Sequence, residues 1–287
     1  MKRLLICDLD NTLYDWVGFF VPSFYALVDE VVNLTGCDKE ELLDDFKRVH
    51  QRHSDSEFPF AALETQIVQS CFPNKSRAEV AKSLDSAFHA FNSKRKATLK
   101  LYPDVRETLD RLSKAGVSIV AHTESNLYAA LGRLTRLEII DYFKQIYCRE
   151  RSQFTHPNPK SADAWEKMIR SYKIKELSHH QRKPNVEVLL EICQDEKCTP
   201  AEAAYVGDSL VRDIFMAHEA GVFAIWAKYG VSHRSQDYEK LVRVTHWTSD
   251  DVTRERVLGE RIKGLRPDMI LENNFGEILP AFLDAAA

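Results

Sequence analysis

The chain is poor in the residues from which several protein classes are built. Cysteine is scarce, six in 287 residues, and Cys7, Cys37, Cys71, Cys148, Cys193 and Cys198 are scattered. That spread argues against a disulfide-stapled scaffold. Cys193 and Cys198 are the nearest pair, and no cysteine or histidine completes a zinc-type quartet around them. The thiols read as reduced, in a cytoplasmic protein. No signal peptide or membrane span is expected, because the start, Met1-Lys2-Arg3-Leu4, runs directly into a short strand and meets charge at Asp8. Neither sign of charge dominates: 39 Lys and Arg against 43 Asp and Glu give −4, with a pI near 6.2. Nothing in that balance points to nucleic acid or an anionic membrane as partner. No internal repeat is evident. What is present is 44% hydrophobic and 29% charged residues, the make-up of a soluble globular protein with a sizeable core, as one large domain or two smaller ones.

Leu4-Leu5-Ile6-Cys7 reads as a strand buried on both faces, and Asp8-Leu9-Asp10-Asn11-Thr12 emerges where it ends. A parallel α/β sheet binds its ligands at that edge. An offset of two places Asp8 and Asp10 on one side of the chain, where two carboxylates repel unless a cation lies between them. Mg²⁺ suits such oxygens and leaves room for water and phosphate. Taken alone, the stretch reads equally well as the cap of a following helix.

From Tyr14 to Leu101 no buried strand is predicted. Amphipathic helices are expected over Trp16–Leu34, Asp38–His50, Glu57–Phe72 and Arg77–Phe91, with capping patterns at Asp38/Glu41 and Ser76/Glu79. Strand and helix then alternate. Strands are expected at Val117–Ala121, Gln145–Cys148, Ala203–Val206, Val222–Trp226 and Asp268–Leu271. Helices are expected after Pro103 and over Asn126–Leu137, Asn185–Cys193, Leu210–Ala220 and Glu277–Phe282. This pattern predicts an α/β fold, a doubly wound parallel sheet, with an all-helical insertion. The core comprises 1–14 and 102–287 and the insertion 15–101. Two polar excursions, 149–182 and 232–266, break the alternation, and His179-His180 in the first reads as a solvated loop.

Three later strand or loop ends carry further polar groups. His122-Thr123-Glu124-Ser125 follows the second strand and offers a hydroxyl and main-chain N–H groups at a helix entrance, an anion site or simply a helix cap. In Arg182-Lys183-Pro184-Asn185 the proline stiffens the approach of Lys183, a phosphate-binding charge or an ordinary surface lysine. In Gly207-Asp208-Ser209-Leu210-Val211-Arg212-Asp213 the glycine permits a tight turn, Asp208 is placed to reach a metal, and Asp213 to orient its neighbours.

Together these residues resemble the four motifs, in order, of the haloacid dehalogenase superfamily, in its phosphatase branch. Asp8-Leu9-Asp10-Asn11-Thr12 is similar to the first, Thr123 to the second, Lys183-Pro184 to the third and Gly207 to Asp213 to the fourth. Lys160 is a weaker match for the third, because no clean helix–strand unit follows it. The helical insertion falls where the family carries a cap, and the two excursions exceed the usual connections. The resemblance implies a phosphatase acting on a small organic phosphate: phosphoglycolate, a sugar phosphate or a nucleoside monophosphate. It implies Asp8 as nucleophile, Asp10 as acid and base, and Mg²⁺ on Asp8, the Asp10 carbonyl and Asp208. Thr123, Lys183 and main-chain N–H groups near Leu9 and Glu124 would hold the phosphate, with Thr12 and Asp213 behind them, in a monomer or homodimer. Rival readings are a 2-haloacid dehalogenase, a phosphonate hydrolase using Lys47 or Lys82, and a phosphorylatable or ligand-binding module without turnover.

Overall fold

The computed structural model describes residues 2–151, 159–231, 235–248, 253, 257–260, 262 and 264–283. Seven strands, β1 (Leu4–Cys7), β2 (Ser118–Asn126), β3 (Gln145–Arg149), β4 (Ile174–Leu177), β5 (Ala203–Gly207), β6 (Phe223–Ala227) and β7 (Met269–Leu271), form one parallel sheet in the order β4-β3-β2-β1-β5-β6-β7. β1 is central because all four of its side chains are buried. Leu5 and Cys7 join one apolar cluster, and Leu4 and Ile6 the cluster on the opposite face. Burying each leucine stabilises the fold by roughly 2 kcal/mol. The chain winds outward from β1 through β2 to β4, then returns to the other side of β1 for β5 to β7.

The helices are α1 (Trp16–Thr35), α2 (Lys39–His53), α3 (Gln66–Cys71), α4 (Arg77–Ser83), α5 (Asp85–Thr98), α6 (Val105–Lys114), α7 (Leu127–Arg136), α8 (Pro159–Ile169), α9 (Val186–Asp195), α10 (Phe215–Glu219) and α11 (Ser235–Val244). α1 to α5 form the helical insertion. Its two connections to the sheet run side by side: Tyr14 bridges Leu101, and Tyr102 N donates to the Leu13 carbonyl. α1 is long and apolar enough to resemble a membrane span, yet half of it is buried among the other elements, with Phe19, Phe20, Phe24 and Leu27 in the core.

Several expected elements differ. The stretch 57–72 is a 3₁₀ segment, Pro59–Glu64, and then α3, whose first turn is capped by Thr65 Oγ1 accepting from Val68 N. The helix expected over Arg77–Phe91 kinks at Leu84 between α4 and α5. Val80, Leu84, Ala87 and Phe91 remain buried through the kink, so apolar spacing cannot reveal it. A strand, β4, lies inside the excursion predicted as irregular. It is an edge strand carrying Lys175 and Glu176, and charged edge strands lack an apolar run. Leu210–Ile214 is a wide π-type turn leading into α10, and the chain closes on a 3₁₀ segment, Phe275–Ala281, that contains Pro280.

The second excursion contributes α11, which packs against the insertion. Lys47 Nζ donates to the Val242 carbonyl (2.9 Å), Arg243 pairs with Asp44 (2.6 Å), and His50 Nδ1 lies 2.6 Å from the Val244 carbonyl.

Candidate active site

The winding direction reverses between β1 and β5, and the crevice beyond the carboxyl ends of those strands is where an open α/β sheet binds ligands. Asp8 follows β1 there, its N–H donating to the Val206 carbonyl (2.9 Å). One carboxylate oxygen, Oδ1, accepts from Lys183 Nζ (2.6 Å), and Oδ2 accepts from Thr12 Oγ1 (3.1 Å). Lys183 also donates to Asp213 Oδ1 (2.9 Å), and Asp213 is fixed by Ser209 N (3.0 Å) and the Tyr205 hydroxyl (3.2 Å). Asp8, Thr12, Lys183 and Asp213 are all buried. Lys183 is a clamped ammonium, not a surface lysine.

Gly207 makes this packing possible by a route other than the expected turn. It is not among the positive-φ glycines, but a Cβ on it would lie 2.4 Å from Asp213 Cγ. The missing side chain lets Asp213 close on Lys183.

Burial pushes the Asp8 carboxyl up to about 7 against the opposing Lys183 ammonium, with Asp213 and Asp10 adding to the rise. Burial, Asp8 and Asp213 push Asp208 well above the usual carboxylate range. Burial alone would favour neutral Lys183, but Asp213 and Asp8 reverse that and hold it protonated. Asp8 and Asp213 thus share one ammonium, while Asp208 is opposed by the more distant charges of Arg212 and Lys183. Oxygens of Asp8, Asp208 and Asp213 lie within 4.8 Å of one another. Among the described residues no side chain hydrogen-bonds or ion-pairs with the Asp208 carboxylate, whereas its main-chain carbonyl accepts from Trp226 Nε1 (2.9 Å). A set of hard oxygen donors short of positive charge fits a divalent cation such as Mg²⁺.

Asp10 has a separate set of partners. The strand ends at Cys7, and Asn11 adopts a left-handed conformation (φ 58°), so the strand alternation does not extend to Asp10. Its Oδ2 accepts from Ser125 Oγ (2.5 Å), and Arg133 Nη2 lies 3.1 Å from its Oδ1. The sequence reading missed Arg133 and Glu57, which shares its guanidinium with Tyr14. A signal existed: Arg133 lies three residues after Ala130 and one before Leu134, on the buried side of α7.

Thr123 and Glu124 are not at a helix entrance. β2 runs on to Asn126, whose side chain caps α7 by accepting from Ala129 N. Thr123 Oγ1 accepts from Ser125 N (3.1 Å), and Glu124 pairs with Arg212 (3.2 Å).

Asp8, Asp10, Thr123, Glu124, Lys183, Asp208 and Asp213 all line one cavity of about 490 Å³, with Thr12 buried beneath it. Trp16 and Glu57 of the insertion and Tyr238, His246 and Trp247 of the second excursion form its wall. Of the aromatics near the first motif, Tyr14, Phe19 and Phe20 are core residues. Neither Lys47 nor Lys82 lines the cavity. The side chains of Lys160 and His179 lie outside the described residues, as does His156.

The sequence profile of haloacid dehalogenase-like hydrolases matches residues 2–221. The chain belongs to this family. Within it, the chain is 28% identical over 249 residues to a glyceraldehyde 3-phosphate phosphatase of Methanopyrus kandleri, covering 83% of this chain and 88% of that protein. Against a protein of the same name from Pyrococcus furiosus it is 26% identical over 141 residues, and the match spans about half of each, 49% of this chain and 48% of that one. The fold is shared with a 2-haloacid dehalogenase of Pseudomonas syringae, at a TM-score of 0.54 and 20% identity over 98% of both chains.

Proposed function

We propose that this haloacid dehalogenase-like hydrolase is a Mg²⁺-dependent phosphatase that cleaves a small organic phosphate monoester through an aspartyl-phosphate on Asp8. The observation that carries the reading is the separation of two carboxylates in one cavity. Asp8 is clamped by Lys183 beside Asp208 and Asp213, while Asp10 is held apart by Ser125 and Arg133. A nucleophile and a proton carrier need that division. The phosphatase names of the relatives support it, and so does Asp10 itself, because a halide leaves without a proton.

In the first step an Asp8 oxygen bonds to phosphorus as the bond to the leaving oxygen breaks, and Asp10 gives that oxygen its proton. In the second, Asp10 takes a proton from a water that attacks the same phosphorus. Phosphate departs and the Asp8 carboxylate is restored. Lys183, Thr123 and the main-chain N–H groups of Leu9 and Glu124 stabilise charge on the equatorial oxygens. Mg²⁺, held by Asp8, Asp208 and the Asp10 carbonyl with an Asp213 oxygen within reach, would screen the carboxylates from the anionic substrate. Residues 15–101 act as a cap that closes on the cavity about the paired connections at Tyr14 and Leu101, excluding bulk water. The substrate class is phosphoglycolate, a triose or other sugar phosphate, or a nucleoside monophosphate. Six free thiols suit a reducing cytoplasm.

The test is a panel of phosphorylated metabolites assayed for phosphate release with Mg²⁺ and with EDTA, for wild type and Asp8→Asn. Mg²⁺-dependent release that Asp8→Asn abolishes is expected. Halide release from a 2-chloro acid without Mg²⁺, and no phosphate release, would overturn the reading.

A further inference from the structure

Arg133 is a buried cation that belongs to none of the four motifs. It lies on α7, at 3% exposure, and its guanidinium contacts two different parts of the molecule. Toward the sheet, Nη2 lies 3.1 Å from Asp10 Oδ1 and 3.3 Å from Oδ2 and also donates to Ser125 Oγ, which in turn donates to Asp10 Oδ2. Toward the insertion, Nη1 donates to Glu57 Oε2, whose other oxygen accepts from Trp16 Nε1 (3.0 Å). Nε donates to the Tyr14 hydroxyl (2.9 Å), at the connection between the two parts. A planar guanidinium holds several acceptors in fixed directions, which a lysine cannot do.

Desolvating an arginine is unfavourable unless its donors are met. Here Asp10 and Glu57 meet them together, and Glu57 belongs to the insertion, in the stretch between α2 and α3. Movement of the insertion that withdraws Glu57 frees one edge of the guanidinium and with it the orientation imposed on Asp10. We propose that Arg133 is a positioning residue for Asp10, aiming its carboxyl at the leaving oxygen while Glu57 of the insertion is seated on the same guanidinium. The inference rests on the phosphatase reading and adds a link between the insertion and the proton carrier. Asp10 still gives its proton to the leaving oxygen as the P–O bond breaks. Arg133 and Glu57 set only where that proton is held.

The discriminating readout is the leaving group. An alkoxide needs a proton as it departs, whereas a dinitrophenolate does not, and kcat/KM reports steps through formation of the Asp8 adduct. Arg133→Lys, Glu57→Ala and Glu57→Gln are compared with wild type and Asp8→Asn on ethyl phosphate and dinitrophenyl phosphate, with Tm measured for each. Arg133→Lys and Glu57→Ala are expected to lose roughly 10–100-fold in kcat/KM on ethyl phosphate and less than about threefold on dinitrophenyl phosphate. Glu57→Gln, which keeps an acceptor for Arg133, is expected to recover most of that loss. Should Arg133→Lys fail to fold, the Glu57 pair carries the test. Equal losses on both substrates, or none, overturn the inference while the phosphatase reading stands. Absence of Asp8-dependent turnover on either substrate overturns both.

Discussion

Lys183 Nζ stands 2.6 Å from Asp8 Oδ1, and the two side chains meet across 175 residues of chain where both are almost wholly buried. The same ammonium serves Asp213 at 2.9 Å. Lys183→Met would leave two buried carboxylates without their cation, at a destabilisation of roughly 3–5 kcal/mol. On the proposed mechanism it would also remove a charge that stabilises the transferring phosphoryl group, lowering kcat on the order of 10²–10³-fold. Urea denaturation and steady-state kinetics measure the two effects, and a variant as stable and active as wild type would contradict the clamp.

Asp10→Asn keeps an acceptor for Ser125 and Arg133 but cannot carry the proton. A loss on the order of 10²–10⁴-fold in kcat is expected, with the fold retained by circular dichroism and a lowered Tm, because buried Arg133 loses one of its two counter-charges. Activity within a few-fold of wild type would assign the proton transfer to another group.

At Gly207 a methyl group would lie 2.4 Å from Asp213 Cγ. Gly207→Ala should drive Asp213 off Lys183, with an overpacking destabilisation of roughly 1–3 kcal/mol and a fall in activity. Calorimetry and the phosphate-release assay read both. Ala tolerated without change in either would mean that Asp213 does not depend on this close approach.

His50 supplies a pH prediction away from the chemistry. It packs beside Phe24 and Phe46, and its Nδ1 lies 2.6 Å from the Val244 carbonyl. Burial lowers its pKa from 6.5 to about 4. The folded chain therefore keeps His50 neutral where the unfolded chain protonates it, so stability falls as pH drops from 6.5 toward 4. The contribution is about 3 kcal/mol across that window. His50→Gln should flatten this part of the stability–pH curve relative to wild type. Parallel curves would show that the ring titrates alike in both states.

The sheet was legible because its central strands are apolar runs. Leu4 to Cys7 and Ala203 to Val206 are buried throughout, so nothing polar interrupts the signal. β4 was not legible, since Lys175 and Glu176 on an edge strand look like loop. Asp8 and Asp208 stood out because each follows an apolar strand, Lys183 because a proline follows it, and Thr123 because it comes after the apolar run of β2 although the strand continues to Asn126; all of them line the cavity. Arg133 and Glu57 belong to a helix and a connecting segment with no motif around them. Their roles come from a tertiary meeting that spacing does not encode. Packing of α11 against α1 and α2 was hidden for the same reason: its anchors, such as Lys47 to the Val242 carbonyl, pair side chains with distant main chain.

The central claim is that Asp8 itself accepts the phosphoryl group. Acid-quenching the protein during turnover and mapping the phosphoryl adduct by mass spectrometry addresses it directly. The adduct should lie on the peptide containing Asp8, accumulate further in Asp10→Asn when the substrate is dinitrophenyl phosphate, whose leaving group needs no proton, and vanish in Asp8→Asn. Turnover by Asp8→Asn, or an adduct mapped to another residue, would contradict the account.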